Sequence, residues 1–201
     1  MEAESTISNT ITFRNPRQER IFQKLLRLVG PGPAQFYKDA CWLMALNVPI
    51  PTTTHLVSHL LRDVESALRD VLESFIDINN LQAQGGEARQ REEILSVLSA
   101  LEIPKDDPVS VAWLGITGRK NIRALHARAH RNALAQPRPV DSDFRQFWTD
   151  MEIVLDEVLN RFEARYLRIN THLDNLRQKK NPTRSDAFFL KNNIPNNAVA
   201  F

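Results

Sequence analysis

The segment DSDFRQFWTDMEIVLDEVLNRFEARYLRINTHLDNLRQKK, residues 141–180, carries one continuous helical pattern. Its apolar residues recur every three or four positions, which places their side chains on one face of an α-helix. The stripe consists of Phe144, Phe147, Trp148, Met151, Leu155, Val158, Phe162, Tyr166, Ile169, Leu173 and Leu176. Asp141 or Ser142 is expected to cap the helix. We predict a very long C-terminal amphipathic helix whose far half packs on the first helices or on a second copy of the chain.

The rest of the chain has helical spacing as well, and no β-alternation of useful length. Helices are predicted from residue 16 to the GPGP stop and over residues 33–46, 54–76, 87–101 and 119–135. In the second of these, Phe36 is expected to face inward. In the third, Leu56 is expected in the core and Glu65 in solvent. The segment around Trp113 is interpreted as a loop with one helical turn. The predicted fold class is all-α, a helical bundle.

Composition favours a single domain. The chain has 201 residues, is 42% apolar and 25% charged, and contains only six glycines. So few glycines argue against a dinucleotide-binding sheet, a phosphate-binding loop or a turn-rich β-sandwich. We expect a flexible N-terminus over residues 1–14, one helical bundle domain over residues 15–180 and a polar tail over residues 181–201. The apolar ending of the tail favours a further domain beyond it.

Cys41 is the single cysteine, so an intramolecular disulfide is excluded. It lies in the apolar run DACWLMAL, where a buried and inert thiol is expected. The first ten residues contain acids where a signal peptide needs a basic region. No uncharged apolar stretch approaches the roughly 20 residues that span a bilayer. The sequence therefore predicts a cytoplasmic protein with no membrane partner.

Positive charge is concentrated in RKNIRALHARAHRNALAQPRPVD, residues 119–141. The chain has a formal net charge of only +2, yet no acidic residue occurs from Arg119 to Arg138. Such a run either attracts polyanions or forms a solvated face. Four side chains lie along one edge of the predicted helix, at i, i+4, i+7 and i+11: Arg119, Arg123, His126 and His130. At this border between core and water, partial burial and neighbouring charge tune the pKa of imidazole.

This spacing resembles the motif of the HEPN (higher eukaryotes and prokaryotes nucleotide-binding) family. These helical bundles carry an arginine followed, after four to six residues, by a histidine near the start of a late helix. Here six residues separate Arg119 from His126, and six separate Arg123 from His130. RNALAQPRP also looks like the family's Arg-Asn-x-x-x-His form, with Gln136 in the histidine position. The resemblance covers about residues 54–180.

The resemblance implies a metal-independent endoribonuclease of a defence or toxin-type system, whose motifs meet across a dimer. Arg123 would bind the scissile phosphate and His130 would move the proton, with Arg119 and His126 as the alternate pair. An imidazole of near-neutral pKa is suited to proton transfer, and a guanidinium offsets charge that develops on phosphate. No metal or cofactor is expected.

Other residues are assigned supporting roles. The candidates for RNA binding are Arg128, Arg131 and Arg138. From the helical projection, Asp63 or Asp70 on a facing helix could orient the catalytic pair.

Alternatives to an active nuclease remain. If Arg131 and Gln136 occupy the motif positions, the domain is catalytically silent, because glutamine cannot exchange a proton. His55 and His59 repeat the i, i+4 spacing of His126 and His130, which suits a metal ion. Neither pair carries the glutamate of a zinc protease motif. The last alternative is a non-catalytic protein-interaction or oligomerisation domain of a larger protein, joined through the long helix to a second copy or a partner helix.

Overall fold

The structure is a computed structural model and describes residues 13–76, 81–83, 85–118, 138–179 and 183–193. Within these ranges every regular element is an α-helix, which confirms the predicted all-α class. The helices are α1 (Pro16–Leu28), α2 (Pro31–Ala45), α3 (Thr53–Glu73), α4 (Gly86–Ala100), α5 (Pro108–Thr117), α6 (Ser142–Gln178) and α7 (Arg184–Asn193). Buried apolar side chains from α1 to α6 form one hydrophobic cluster, so these helices make a bundle.

Helix α6 is the longest of the described helices. It has 37 residues and therefore extends about 55 Å. Its start is fixed by Asp141, whose carboxylate accepts a hydrogen bond from the Phe144 N–H at 2.8 Å. The predicted stripe is buried from Phe144 to Phe162, Tyr166 is about half exposed, and Ile169 is buried again. Because α7 follows, the long helix is not the last helix of the chain.

Helix α1 packs along α6 in parallel, because successive residues of α1 pair with successive residues of α6. Arg20 donates to both carboxylate oxygens of Asp156, at 2.9 and 2.6 Å. One turn further on, Lys24 lies 2.7 Å from Glu163, which Arg27 also contacts. The apolar side of α1 beneath these pairs is fully buried. Apolar packing therefore joins the two helices, and each partly exposed ion pair adds about 0.2–1 kcal/mol.

The buried faces of α2 and α3 differ from the predicted ones. Phe36 was expected inside but is 39% exposed, and its neighbour Tyr37 is buried instead. Leu56 is likewise 39% exposed, whereas Glu65, expected in solvent, is only 3% exposed. Helix α3 packs on α2 and also meets Trp113 of α5. More of its circumference is therefore covered than a single amphipathic stripe predicts.

Helix α5 occupies the segment that was predicted to be a loop with one helical turn. Pro108 is its first residue, and the Asp107 carboxylate accepts the Val109 N–H at 2.8 Å. Both features are typical of helix starts. The helix has 10 residues and buries Trp113 completely. The proline that suggested a loop is thus the residue with which the helix begins.

The ends of the described chain are attached to the bundle. Helix α7 lies within the predicted polar tail, and its Asp186 accepts hydrogen bonds from Lys179 at 2.8 Å and from the Thr183 N–H at 2.8 Å. At the other end, the rings of Phe13 and Phe22 are 5.3 Å apart. Residues 1–12 and 194–201 lie outside the described part of the chain. None of the described helices combines the length and the apolar character needed to cross a membrane.

Candidate functional site

Most of the predicted catalytic segment lies outside the described residues, because residues 119–137 are not among them. This applies to the predicted catalytic residues, to two of the predicted RNA-binding residues and to the glutamine of the variant motif: Arg119, Arg123, His126, His130, Arg128, Arg131 and Gln136. Arg138, Asp63 and Asp70 are described.

The described residues that border the segment are Gly118 before it and Arg138 after it. Gly118 ends α5, and its N–H donates to the Leu114 carbonyl at 3.2 Å. The hydroxyl of Thr54, in the first turn of α3, donates to the Arg138 carbonyl at 2.8 Å. Thr54 is buried, whereas Arg138 is exposed. The backbone of Arg138 is thus fixed at the start of α3 while its side chain is accessible.

A cleft with two arginines adjoins the hydrogen bond between Thr54 and Arg138. It has a volume of about 230 Å³ and lies where α1, α3 and α6 begin and α2 ends. We call it the basic cleft, and its lining residues are Arg14, Leu43, Met44, Leu46, Asn47, Pro49, Thr53, Val140 and Arg145. Two guanidinium groups and no carboxylate are in this lining. Thr53 precedes Thr54 in the chain, and Val140 follows Arg138 by two residues. The cleft therefore adjoins the Thr54–Arg138 hydrogen bond.

Each of the two arginines lies at the end of a helix: Arg14 contacts the last residue of α2, and Arg145 is in the first turn of α6. Arg14 donates from Nη2 to the Ala45 carbonyl at 2.6 Å, and its N–H donates to the Gln18 side chain at 3.0 Å. Arg145 lies in the first turn of α6, with its N–H bonded to the Asp141 carbonyl at 3.0 Å. Within the part of the chain that the structure describes, neither guanidinium is within 4.0 Å of a carboxylate. Two like charges beside one cleft favour an anionic ligand between them.

The predicted orienting carboxylates are both exposed residues of α3. Asp63 forms its ion pair with the adjacent Arg62, at 3.2 Å. Asp70 is exposed on the next part of the helix. The rings of His55 and His59 are half-buried and contact edge to face, with centroids 4.4 Å apart. Asp63 follows His59 by one turn, so these three groups lie along one side of α3. Among the described residues no three His, Cys, Asp or Glu side chains converge as metal ligands.

Cys41 belongs to a buried polar cluster rather than to an active site. Its thiol lies beside the Tyr37 hydroxyl, which donates to Glu152 at 3.4 Å, and Glu152 also accepts from Gln18 at 2.8 Å. Burial raises the pKa of the Cys41 thiol to about 12. The thiol is therefore protonated near neutral pH and is a poor nucleophile. This confirms the prediction that Cys41 is buried.

The sequence interpretation did not identify Arg14 or Arg145 as site residues. Arg14 was assigned to the flexible N-terminus, and Arg145 lies in the predicted long helix but outside its apolar stripe. They come together because α1 and α6 start at the same end of the bundle. Neither arginine lies in a sequence motif that would indicate that the two are close together in the fold.

No known protein family, no curated protein and no solved structure matches the chain.

Proposed function

We propose that the chain is an HEPN-like helical module that binds RNA at the basic cleft and cleaves it without a metal ion. The observation that carries the proposal is the position of this cleft beside Arg138, which is the first described residue after most of the Arg- and His-rich segment. Arg14 and Arg145 supply positive charge with no carboxylate in the lining. Arginine binds phosphate oxygens through two parallel N–H bonds, and phosphate contacts supply much of the affinity of RNA-binding proteins.

The chemistry is assigned to the predicted pair. His130 removes the proton from a ribose 2′-hydroxyl, and the 2′-oxygen attacks the adjacent phosphorus. The bond from phosphorus to the 5′-oxygen breaks, that oxygen takes a proton from water, and the protonated His130 returns its proton to solvent. The products are a 2′,3′-cyclic phosphate and a 5′-hydroxyl end. Arg123 offsets the negative charge that develops on the phosphate oxygens during the step.

RNA binding is tested by fluorescence anisotropy with a labelled single-stranded RNA in EDTA. The double variant Arg14→Gln/Arg145→Gln is expected to bind more weakly and to lower the slope of log affinity against log salt by about 1.4, since each phosphate contact on single strands contributes about 0.7. Arg177→Gln is the matched control, because Arg177 is an 80% exposed arginine on the same helix. An unchanged slope in the double variant would remove the cleft from the RNA interface.

Cleavage is tested on the same RNA with EDTA present throughout. The wild type is expected to release fragments with cyclic phosphate ends, and His130→Ala is expected to abolish cleavage while RNA binding persists. His172→Ala serves as the control, because His172 lies near the far end of α6. Intact RNA at every wild-type concentration, with binding preserved, contradicts the nuclease and leaves the silent module that Gln136 suggests.

A second candidate function is self-association through the far part of α6. Tyr166 and Leu167 are about half exposed there, and Phe188 on α7 is 68% exposed. Apolar side chains of this size at one end of a helix pair favour a protein contact. A homodimer measured by light scattering, converted to monomer by Leu167→Asp, supports this function. A wild-type monomer at high protein concentration contradicts it.

A further inference from the structure

A second cleft lies between the end of α4 and the far part of α6. Its volume is about 310 Å³, and we call it the arginine cleft. It is lined by Ala100, Leu101, Glu102, Arg161, Ala164, Arg165 and Arg168. The three arginines occur at i, i+4 and i+7 on α6, so their side chains share one face of the helix. A single carboxylate, that of Glu102, is in the lining.

Arg165 is the fixed member of the three. It donates from Nη1 to the Ala100 carbonyl at the end of α4, and its guanidinium lies over the Phe75 ring, 5.4 Å from the ring centroid. Its Nε is buried and has no hydrogen-bond acceptor among the residues that the structure describes. Buried polar atoms are rarely left without a partner. The surroundings of Arg165 therefore provide fewer acceptors than its guanidinium can use.

In the described part of the chain, Arg161 and Arg168 each form one side-chain hydrogen bond at the rim of the cleft. Arg161 donates from Nε to Glu157 at 2.8 Å, and Arg168 donates from Nη2 to Glu102 at 3.4 Å. Each guanidinium carries five N–H donors, so the described residues engage only a minority of the donors of either side chain. Exposed ion pairs of this kind contribute little to stability and can rearrange around a ligand.

We propose that the arginine cleft binds a small ligand through a phosphate or diphosphate group. Three guanidinium groups against one lining carboxylate give the site a positive charge, and arginine matches the geometry of phosphate oxygens. The volume is at the lower end of the range of about 300–1,000 Å³ for small-molecule sites. A compact, multiply charged anion suits it better than a large apolar ligand.

The arginine cleft is separate from the basic cleft. Arg145 and Arg165 are 20 positions apart on α6, which corresponds to about 30 Å along the helix axis. They also lie about 200° apart around it at 100° per residue, hence on nearly opposite faces. One small anion cannot contact both, so the two sites can be tested independently.

Binding is measured by isothermal titration calorimetry with inorganic phosphate and with pyrophosphate, at constant ionic strength set by sodium chloride. We expect pyrophosphate to bind more tightly than phosphate, and Arg161→Gln/Arg168→Gln to weaken pyrophosphate binding at least tenfold. Both substituted residues are on the rim, so the fold should persist, which circular dichroism checks. Arg165→Lys keeps the charge but removes the planar donor group, and it should weaken binding as well.

Arg177→Gln on the same helix is the matched control and should bind pyrophosphate as the wild type does. Two results overturn the proposal: no heat of binding at millimolar pyrophosphate, or equal affinity in the wild type and the double variant. RNA anisotropy separates a free phosphate ligand from an RNA backbone. If Arg161→Gln/Arg168→Gln loses RNA affinity as strongly as Arg14→Gln/Arg145→Gln, the arginine cleft is part of an RNA path and the small-ligand proposal is wrong.

Discussion

The indole Nε1 of Trp113 donates a hydrogen bond to the Glu65 carboxylate at 3.0 Å, and both side chains are buried where α5 meets α3. Arg69, one turn after Glu65, lies 3.5 Å from the same carboxylate and 3.2 Å from Glu93. Burial raises the pKa of Glu65, while Arg69 and the Trp113 bond oppose that shift. A buried carboxylate is costly unless it is paired, so these contacts stabilise the α3–α5 junction.

Trp113→Phe should therefore destabilise the protein by about 1–3 kcal/mol, because the Glu65 carboxylate loses a buried donor. The free energy of unfolding is measured by urea titration monitored by circular dichroism. Trp42→Phe is the matched control, since Trp42 is 48% exposed and its truncation should cost less than about 0.5 kcal/mol. Equal effects of the two substitutions would show that the buried hydrogen bond contributes nothing.

The free energy of unfolding should depend on pH because of Glu152. Burial is the main cause of the raised pKa of Glu152, and the hydrogen bonds from Gln18 and Tyr37 oppose it. A raised folded-state pKa means that the folded protein holds this proton after the unfolded chain has released it. Stability therefore falls as pH rises from the unfolded value of about 4.3 through the folded pKa.

Glu152→Gln removes this pH-dependent contribution to stability, while its side-chain oxygen can still accept a hydrogen bond from Gln18. The variant should gain stability relative to the wild type as pH rises, and the gain should level off above the folded pKa. Urea titrations from pH 4 to pH 8 measure it, and Glu157→Gln, a substitution of a more exposed carboxylate on α6, is the control. A stability difference that is constant over this range would contradict the raised pKa of Glu152.

The core position of Phe144 predicts a large truncation effect. Phe144 is fully buried at the start of α6, so Phe144→Ala should cost about 3–5 kcal/mol through lost burial and a cavity. Phe188→Ala on α7 removes the same atoms from a side chain that is largely exposed, and it should change stability by less than about 0.5 kcal/mol. Thermal unfolding measures both. Similar losses would mean that α7 is covered in solution.

Asp186 should control the attachment of α7 to the end of α6. Hydrogen bonds from Lys179 and Thr183 lower the pKa of Asp186, so its carboxylate is charged over the neutral range. Asp186→Asn should speed cleavage of the tail in limited proteolysis, with little change in the global unfolding temperature. Asp174→Asn, at an exposed pair with Arg177, should leave the cleavage rate unchanged. Equal cleavage rates in both variants would contradict the role of Asp186.

The sequence predicted the parts of the fold that depend on local periodicity. The apolar spacing from Phe144 to Phe162 identified the buried face of α6, because that face packs as one stripe. The same argument failed for Phe36, Leu56 and Glu65, because the buried arc of a helix depends on how many neighbours cover it. A helix's own sequence does not specify those neighbours.

The candidate site was less accessible to sequence reasoning than the fold. Arg138 was selected because it lies in a visibly basic run, and the structure places it beside the basic cleft. Arg14 and Arg145 were missed, because their proximity arises from packing of helices that are remote in sequence. The catalytic assignment of Arg123 and His130 stays a prediction.

The parallel pairing of α1 with α6 also has a consequence for synthesis on the ribosome. Arg20 pairs with Asp156, a residue 136 positions later in the chain. At about 5–20 residues per second, the complementary surface of α6 is made roughly 7–27 s after α1. During that interval the apolar side of α1 lacks its partner on α6, and such transiently exposed apolar surface is prone to aggregation.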